Sequence, residues 1–209
     1  MLTPLQAALD EIDLDACGAA RNTLTSVTDL AIEIAREGRE GRRIGTIFTV
    51  GAEDEVLRRS RCLILDPLAM HPPERRRISD PDLRETIKEL AQLDGGFIVS
   101  GDGVALSACR YFESTLTSHQ QPLGLGTRHI AAASISKQAD TVAVVVSESS
   151  VVRLYAAGTL ITEILPELCT KIPVAIDRSS SLDGLGPTVG TSPLSRIAGC
   201  PSCVVRVPW

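Results

Sequence analysis

The sequence has few aromatic residues, no long apolar run and no excess of positive charge. Aromatic side chains make up 3% of the 209 residues, so a folded core has to be built from leucine, isoleucine, valine and alanine. No stretch of about 18 apolar residues occurs, so no membrane-spanning helix is expected. The 21 Lys and Arg residues are outnumbered by 26 Asp and Glu, which argues against a general nucleic-acid-binding protein. The composition is typical of a soluble globular protein.

The six cysteines are scattered along the chain, and the acidic start MLTPLQAALDEIDLD lacks a signal-peptide pattern. We therefore expect a cytoplasmic protein whose cysteines are free thiols rather than a disulfide framework. Cys200 and Cys203 have the C-x-x-C spacing of some zinc and redox sites. Because this pair has no second pair and no neighbouring histidine, it is weak support for either chemistry.

Apolar periodicity and turn residues predict an alternation of helices and strands after a helical start. Helices are expected over 3–17, 23–37, 81–93 and 126–138. Strands are expected over 44–51, 61–65, 97–99, 104–106, 141–146 and 151–155, and segment 159–164 is either a last strand or the start of a helix. The basic stretch 36–43 is interpreted as an exposed turn rather than a binding patch.

This order of elements predicts an α/β (α+β) fold with a mixed central β-sheet flanked by helices. The most hydrophobic segment, 141–146, is expected at the centre of the sheet. We predict three parts along the chain: a helical segment over 1–38, a main domain over 39–168 and a tail over 169–209. The tail is rich in Ser, Gly and Pro, a composition that favours an extended segment, and 204–209 could form a strand or pack back on the body.

Three polar motifs fall at the ends of predicted elements, and together they indicate phosphate chemistry. The sequence GTRH at 126–129 opens a helix, where free N–H groups and the helix dipole favour an anion. The sequence DGG at 94–96 separates a helix from a strand, and SE at 147–148 leaves the central strand. Carboxylates are suited to Mg²⁺ or Mn²⁺, and arginine is suited to phosphate. If the sheet brings these motifs together, metal-assisted phosphoryl or nucleotidyl transfer is the chemistry they fit.

The same motifs give the chain its resemblance to a known family, the diadenylate cyclase domain of DisA-type proteins. That family carries Asp-Gly-Ala and, later, Arg-His-Arg within Gly-Thr-Arg-His-Arg-Ala-Ala. Here the motifs stand as DGG at 94–96 and GTRHIAA at 126–132, followed by a strand and SE at 147–148. The resemblance covers roughly residues 35–165 and is closest to the archaeal-type branch, in which a helical segment precedes the cyclase domain.

The resemblance implies that two ATP molecules are condensed into cyclic di-AMP and two pyrophosphates, with Mn²⁺ or Mg²⁺ as cofactor. It also implies a face-to-face homodimer or higher homo-oligomer, with no membrane and no direct nucleic-acid partner. The residues implied as catalytic are Asp94, Arg128 and His129. The residues implied to contact ATP are Gly95, Gly96, Tyr111, Leu125, Gly126, Thr127, Arg128, His129 and Ser147. Asp94 and Glu148 are the implied metal ligands, and a core position is the alternative for Tyr111.

Two positions depart from the family pattern. Gly96 replaces alanine, a small-for-small change that we expect to keep the backbone accessible. Ile130 replaces the second arginine. We expect reduced activity if that arginine touches phosphate in the family, and little change if it faces a partner subunit or solvent. The alternative function is therefore a catalytically degenerate ATP-binding sensor or scaffold. A phosphodiesterase is less consistent with the sequence, because a His/Asp metal cluster is lacking.

Overall fold

The computed structural model describes residues 9–114, 126–166 and 203–206. The helices are α1 Leu14–Cys17, α2 Arg21–Glu37, α3 Glu53–Arg58, α4 Pro81–Leu90 and α5 Thr127–Gln138, with a short 3₁₀ helix over Pro73–Arg76. The strands are β1 Thr46–Val50, β2 Ser60–Cys62, β3 Gly96–Val99, β4 Ala105–Phe112, β5 Val142–Val146, β6 Val152–Ala156, β7 Thr159–Pro166 and β8 Cys203–Arg206. None of the helices within these ranges is long and apolar enough to cross a bilayer.

The eight strands form one sheet in the order β2-β4-β3-β1-β5-β6-β7-β8. β1 runs parallel to β3, and the other neighbouring pairs are antiparallel. This mixed sheet with helices confirms the predicted fold class. β5 lies between β1 and β6, so its predicted central position is also confirmed.

Both faces of the sheet centre are buried, and the side chains of β5 alternate between two apolar clusters. Val142, Val144 and Val146 pack in the cluster that contains α2 residues. Ala143 and Val145 pack in the cluster that contains α5 residues. Because successive strand side chains point to opposite faces, a strand covered on both sides has to be apolar throughout. The sheet is thus a layer between α2 and α5, and α5 carries the GTRH motif.

Several predicted boundaries are confirmed. The helix predicted over 23–37 is α2, and it ends at Gly38, whose φ of 56° suits glycine. The helix predicted after Asp80 is α4, in which the Asp80 side chain accepts a hydrogen bond from the Asp82 N–H. Segment 159–164 is a strand. The basic stretch 36–43, interpreted as an exposed turn, begins in the last two residues of α2 and continues as a turn closed by paired backbone hydrogen bonds between Arg39 and Arg42, with Arg42 and Arg43 exposed.

Two predicted elements are wrong in part. The helix expected over 3–17 is interrupted at 11–13, because the Asp13 side chain caps a new turn by accepting from the Ala16 N–H. The strand expected over 61–65 ends at Cys62, and Leu65 beyond it is 94% exposed. β2 is the edge strand of the sheet and, among the described residues, pairs with β4 alone, which leaves Leu63, Ile64 and Leu65 exposed.

Other predictions fall partly outside the described residues, namely those for 1–8, 115–125 and 167–202. Strand β8 pairs with β7. It covers residues 203–206 and so overlaps the first half of the segment 204–209, which is predicted as a strand or an anchor. The division into 1–38, 39–168 and 169–209 stays a prediction. Helix α2 shares one apolar cluster with the strands of the sheet.

Helix α4 is held against α2 by a buried lysine, and this fixes the segment that leads into Asp94. Lys88 is only 6% exposed, and its ammonium lies 2.8 Å from Glu85, 3.1 Å from Glu37 and 3.2 Å from Glu33. These carboxylates hold the pKa of Lys88 above its ordinary value despite the opposing effect of burial. A buried ammonium needs such partners, so the contacts anchor α4 in place.

Candidate active site

A cleft of about 460 Å³ is lined by the start of α5, by the end of β4 and by the segment that precedes β3. Its polar residues include Asp94, Thr127 and Arg128, and its apolar walls include Leu63 and Tyr111. This size and mixture of surfaces are typical of a small-ligand site that binds a partly apolar molecule through a few polar groups.

A second cleft, of about 250 Å³, shares Asp94 and Arg128 with the first and adds Glu148. The fold therefore brings together one residue from each of the three polar motifs. Asp94 follows α4, Arg128 belongs to the first turn of α5, and Glu148 follows β5. They meet because β3 and β5 both flank β1 in the sheet.

Arg128 and Glu148 form an ion pair, with 2.7 Å between Nη1 and Oε1. Gly45, at the entry to β1, lies directly beside them. A Cβ atom at Gly45 would lie 2.7 Å from Nη1 of Arg128 and 3.2 Å from Cγ of Glu148. Sequence analysis missed Gly45 as a site residue, since a glycine at the start of a strand carries no functional signal.

The start of α5 offers backbone donors to the site. Gly126 is the N-cap residue and provides no side-chain acceptor, and the His129 N–H donates to the Gly126 carbonyl oxygen at 3.0 Å. Free N–H groups at a helix start carry the positive end of the dipole, so the geometry expected for anion binding is present. Thr127 is the first helical residue and lines the larger cleft. Leu125 lies outside the described residues.

The two glycines of the DGG motif have different surroundings. Gly95 lines the larger cleft with a φ of 104°, a conformation that favours glycine. Gly96 is buried instead, and a Cβ there would lie 2.5 Å from the Ile47 carbonyl oxygen and 2.6 Å from the Phe112 ring. The expectation of an accessible backbone at 96 is therefore wrong in this fold, because Gly96 is buried and packing leaves no room for a methyl group.

We predict that Gly96→Ala lowers the free energy of unfolding by about 1–3 kcal/mol, since the strand or the ring has to shift to admit the methyl group. Urea denaturation followed by circular dichroism measures this change. Gly126→Ala is the matched control, because a Cβ at Gly126 meets no atom of the described residues within 4 Å and its φ is −73°. Equal stability of the two variants would contradict the packing argument.

His129 does not line either cleft, although the sequence motif places it beside Arg128. Its ring is 5% exposed, with Nδ1 3.3 Å from the Tyr155 hydroxyl and Nε2 3.4 Å from Nη1 of Arg153. Burial and then the Arg153 charge lower the pKa of His129 to about 4. The imidazole is thus neutral at pH 7, and it contacts Tyr155 and Arg153 rather than lining a cleft.

Tyr111 is 45% exposed on the wall of the larger cleft, so the alternative of a core position is wrong. The Arg61 guanidinium lies 4.8 Å from the centre of its ring, a cation–π contact that orients the phenol. Ser147 is half-buried, and its hydroxyl lies 2.9 Å from the Ser149 hydroxyl. It lies next to Glu148 in the chain but lines neither cleft.

Arg110 is a further cleft residue that sequence analysis missed. A bulge in β4, where Cys109 has a φ of 54°, brings Arg110 opposite Gly96. Its guanidinium bonds the Ser60 carbonyl oxygen at 2.9 Å and the Leu57 carbonyl oxygen at 3.2 Å. No pattern in the sequence could have separated this arginine from an ordinary surface residue of a strand.

Ile130, in the place of the family's second arginine, lines the larger cleft beside Ile47 and Ala131. The position therefore faces the nucleotide-sized cleft, and here it makes that wall apolar.

The donors available for a metal ion are two carboxylates. Asp94 and Glu148 line the same cleft, and oxygen ligands are those that Mg²⁺ and Mn²⁺ prefer. In the described part of the chain no group of three or more His, Cys, Asp or Glu residues is arranged to hold a metal. These residues fit a divalent ion that takes its remaining ligands from phosphate oxygens and water, as Mg²⁺ commonly does.

A mixed-sheet α/β domain with a cleft lined by a carboxylate, an arginine and the start of a helix is typical of proteins that bind a phosphorylated ligand. Residues 33–160 match the family described as DisA bacterial checkpoint controller nucleotide-binding. The chain belongs to this family, the diadenylate cyclase domain family, as its motifs predict.

Two relatives carry the name diadenylate cyclase. The chain is 44% identical over 147 residues to the protein of Methanocaldococcus jannaschii, covering 70% of this chain and 46% of the relative. It is 36% identical over 147 residues to that of Haloferax volcanii, covering 69% and 53%. The chain thus spans about half the length of the relatives it matches.

Two solved structures show weaker similarity. A double mutant of DacA from Staphylococcus aureus is 23% identical, with a TM-score of 0.44, over 66% of this chain and 84% of that chain. A hypothetical membrane-spanning protein from Bacillus cereus is 18% identical, with a TM-score of 0.47, over 75% and 66%.

Proposed function

We propose that this chain is a diadenylate cyclase that condenses two ATP molecules into cyclic di-AMP and two pyrophosphates. The observation that carries the proposal is the position of Asp94 and Arg128, which line both clefts where they meet. A reaction at an α-phosphate requires a group that accepts a proton or binds a metal ion, and a cation that binds phosphate. The carboxylate and the guanidinium are such groups. The names of the two archaeal relatives support the same activity.

The larger cleft is proposed to hold the adenosine half of ATP. Tyr111 and Leu63 offer apolar surface for the base, and Ile130 adds to the apolar wall. Arg128 and the free N–H groups at the start of α5 then face the phosphates. Binding at a fixed place lowers the entropic cost of bringing the reacting groups together.

In each half-reaction a 3′-oxygen of one ATP bonds to the α-phosphorus of the other, and the bond from that phosphorus to the pyrophosphate oxygen breaks. Asp94 is proposed to accept the proton that leaves the 3′-hydroxyl, or to orient the group that does so. Arg128 offsets negative charge on the phosphate and the leaving pyrophosphate. Two such steps close the ring and release two pyrophosphates.

Asp94 and Glu148 would hold Mn²⁺ or Mg²⁺. A divalent ion there supplies a Lewis acid that acidifies the 3′-hydroxyl and neutralises phosphate charge. Metal removal by a chelator is therefore expected to stop product formation.

The described part of the chain provides a cleft of about 460 Å³ for one nucleotide, whereas the product needs two nucleotides facing each other. We therefore propose a face-to-face homodimer, or a larger assembly of such dimers, as the active form. Because ATP is the substrate, we propose that the reaction takes place in the cytoplasm.

The test is incubation of the purified chain with ATP and either Mn²⁺ or Mg²⁺, with product identification by chromatography and mass spectrometry. Cyclic di-AMP and pyrophosphate in a ratio of one to two is the expected result. ATP binding by calorimetry without product under either metal would overturn the proposal and favour the sensor or scaffold.

A further inference from the structure

The smaller cleft carries basic groups that the proposed chemistry does not yet use. Arg42 and Arg43, just before β1, line it together with Arg128, Asp94 and Glu148. Three guanidiniums thus face two carboxylates, and Arg128 is already paired with Glu148. The net charge of this lining is positive, in a chain whose overall charge is −5.

Arg42 and Arg43 differ from the arginine before them in the same turn. Arg39 is paired with Glu85 at 2.7 Å and Glu89 at 2.9 Å on α4. Arg42 and Arg43 are exposed, and neither guanidinium has a hydrogen-bond or ion-pair partner among the residues that the structure describes. Because both cationic side chains line the same cleft, an anion bound there would be stabilised.

The turn that presents these arginines is well defined. Its ends are tied by hydrogen bonds between the Arg39 and Arg42 backbones, at 3.0 and 2.8 Å. Gly41, with a φ of 74°, allows the tight reversal. Arg42 and Arg43 therefore lie on a short hydrogen-bonded turn directly before the central strand β1, not on a long loop.

Asp94 and Arg128 line both clefts, so the two clefts adjoin. A nucleotide with its base against Tyr111 and its α-phosphate near Asp94 would direct the rest of its phosphates toward Arg42 and Arg43. A terminal pyrophosphate group is multiply charged and offers several acceptor oxygens to guanidinium donors.

We propose that Arg42 and Arg43 bind the β- and γ-phosphates of the nucleotide, and then the pyrophosphate that leaves. This assignment rests on the proposed function for the identity of the nucleotide. Under this assignment the smaller cleft binds the leaving group. The two arginines should then strengthen the binding of ATP but not that of AMP.

The experiment measures dissociation constants by calorimetry for ATP, AMP and inorganic pyrophosphate. The proteins are the full chain and its variants Arg42→Gln, Arg43→Gln, the double variant and Arg75→Gln. The control, Arg75, is exposed and lines neither cleft. Each cleft variant is expected to weaken ATP and pyrophosphate binding about tenfold, as for a lost hydrogen bond to a charged group, with AMP binding unchanged. Thermal unfolding checks that every variant is folded.

Equal loss of ATP and AMP affinity in the double variant, or no more loss than in Arg75→Gln, would overturn the assignment. The result can be separated from the fate of the cyclase proposal. Cyclic di-AMP synthesis with unaltered phosphate binding in the variants would reject only the arginine assignment. Arginine-dependent binding of pyrophosphate without any cyclic product would retain it and reject the cyclase.

Discussion

Asp94→Asn is expected to reduce cyclic di-AMP synthesis by at least about 100-fold, the range lost when a positioned acid–base group is removed. Asparagine keeps the shape of the side chain but neither accepts the 3′-hydroxyl proton nor binds a divalent ion as a carboxylate does. Product formation from ATP with Mn²⁺ or Mg²⁺ at saturating concentration measures the loss. ATP affinity without added metal is expected not to fall, because the substitution removes a negative charge from beside the phosphates.

Asp82→Asn is the matched control for this experiment. Asp82 lies in the first turn of α4, is exposed and lines neither cleft, so full activity is expected. If Asp94→Asn kept more than about a tenth of the native rate, a role for this carboxylate in proton transfer or metal binding would be refuted.

The largest pH effect on stability is expected at His129. Its pKa is about 4 in the folded protein against 6.5 when exposed, so the unfolded chain binds the extra proton first as the pH falls. The stabilisation is complete above pH 6.5 and is lost as the pH falls toward 4. Between pH 7.5 and pH 5 this one group should lower the free energy of unfolding by about 2 kcal/mol.

His129→Gln should remove this dependence, because glutamine does not titrate. The measurement is urea denaturation of native and variant protein at pH 7.5 and pH 5. The matched control is His71→Gln, since His71 is exposed and its replacement should leave the pH dependence unchanged. An unaltered pH dependence in His129→Gln would show that the buried imidazole is not the titrating group.

The position of His129 also changes its proposed role. Its contacts with Tyr155 and Arg153 tie the first turn of α5 to β6, and Arg153 is itself paired with Glu163 at 2.7 Å. We infer that His129 is a positioning residue, which fixes the turn that presents Arg128. In that case His129→Gln lowers the rate of cyclic di-AMP synthesis because Arg128 is less well positioned, not because a charge beside the phosphate is lost.

Sequence patterns were sufficient where one local rule decides the outcome. The apolar run of β5 predicts a central strand because only a strand covered on both faces is apolar at every position. The Asp80-Pro81 pair predicts the start of α4, and Gly38 predicts the end of α2, because each acts through its own backbone and nearest neighbours. The failures, at 11–13 and 63–65, occur where a cap or a sheet edge overrides apolar spacing.

The sequence alone determined the family, the fold class and the three motifs, since these depend on residue identity and order. Only the tertiary structure decided which members of each motif face a cleft. Asp94, Gly95 and Arg128 face a cleft, whereas Gly96 and His129 are buried. Adjacent residues on a helix or strand point in different directions, and what surrounds each one is set by elements far away in the chain. For the same reason, the sequence alone could not show that Gly45, Arg42 and Arg43 lie near Arg128. Their proximity depends on the packing of β1 beside α5.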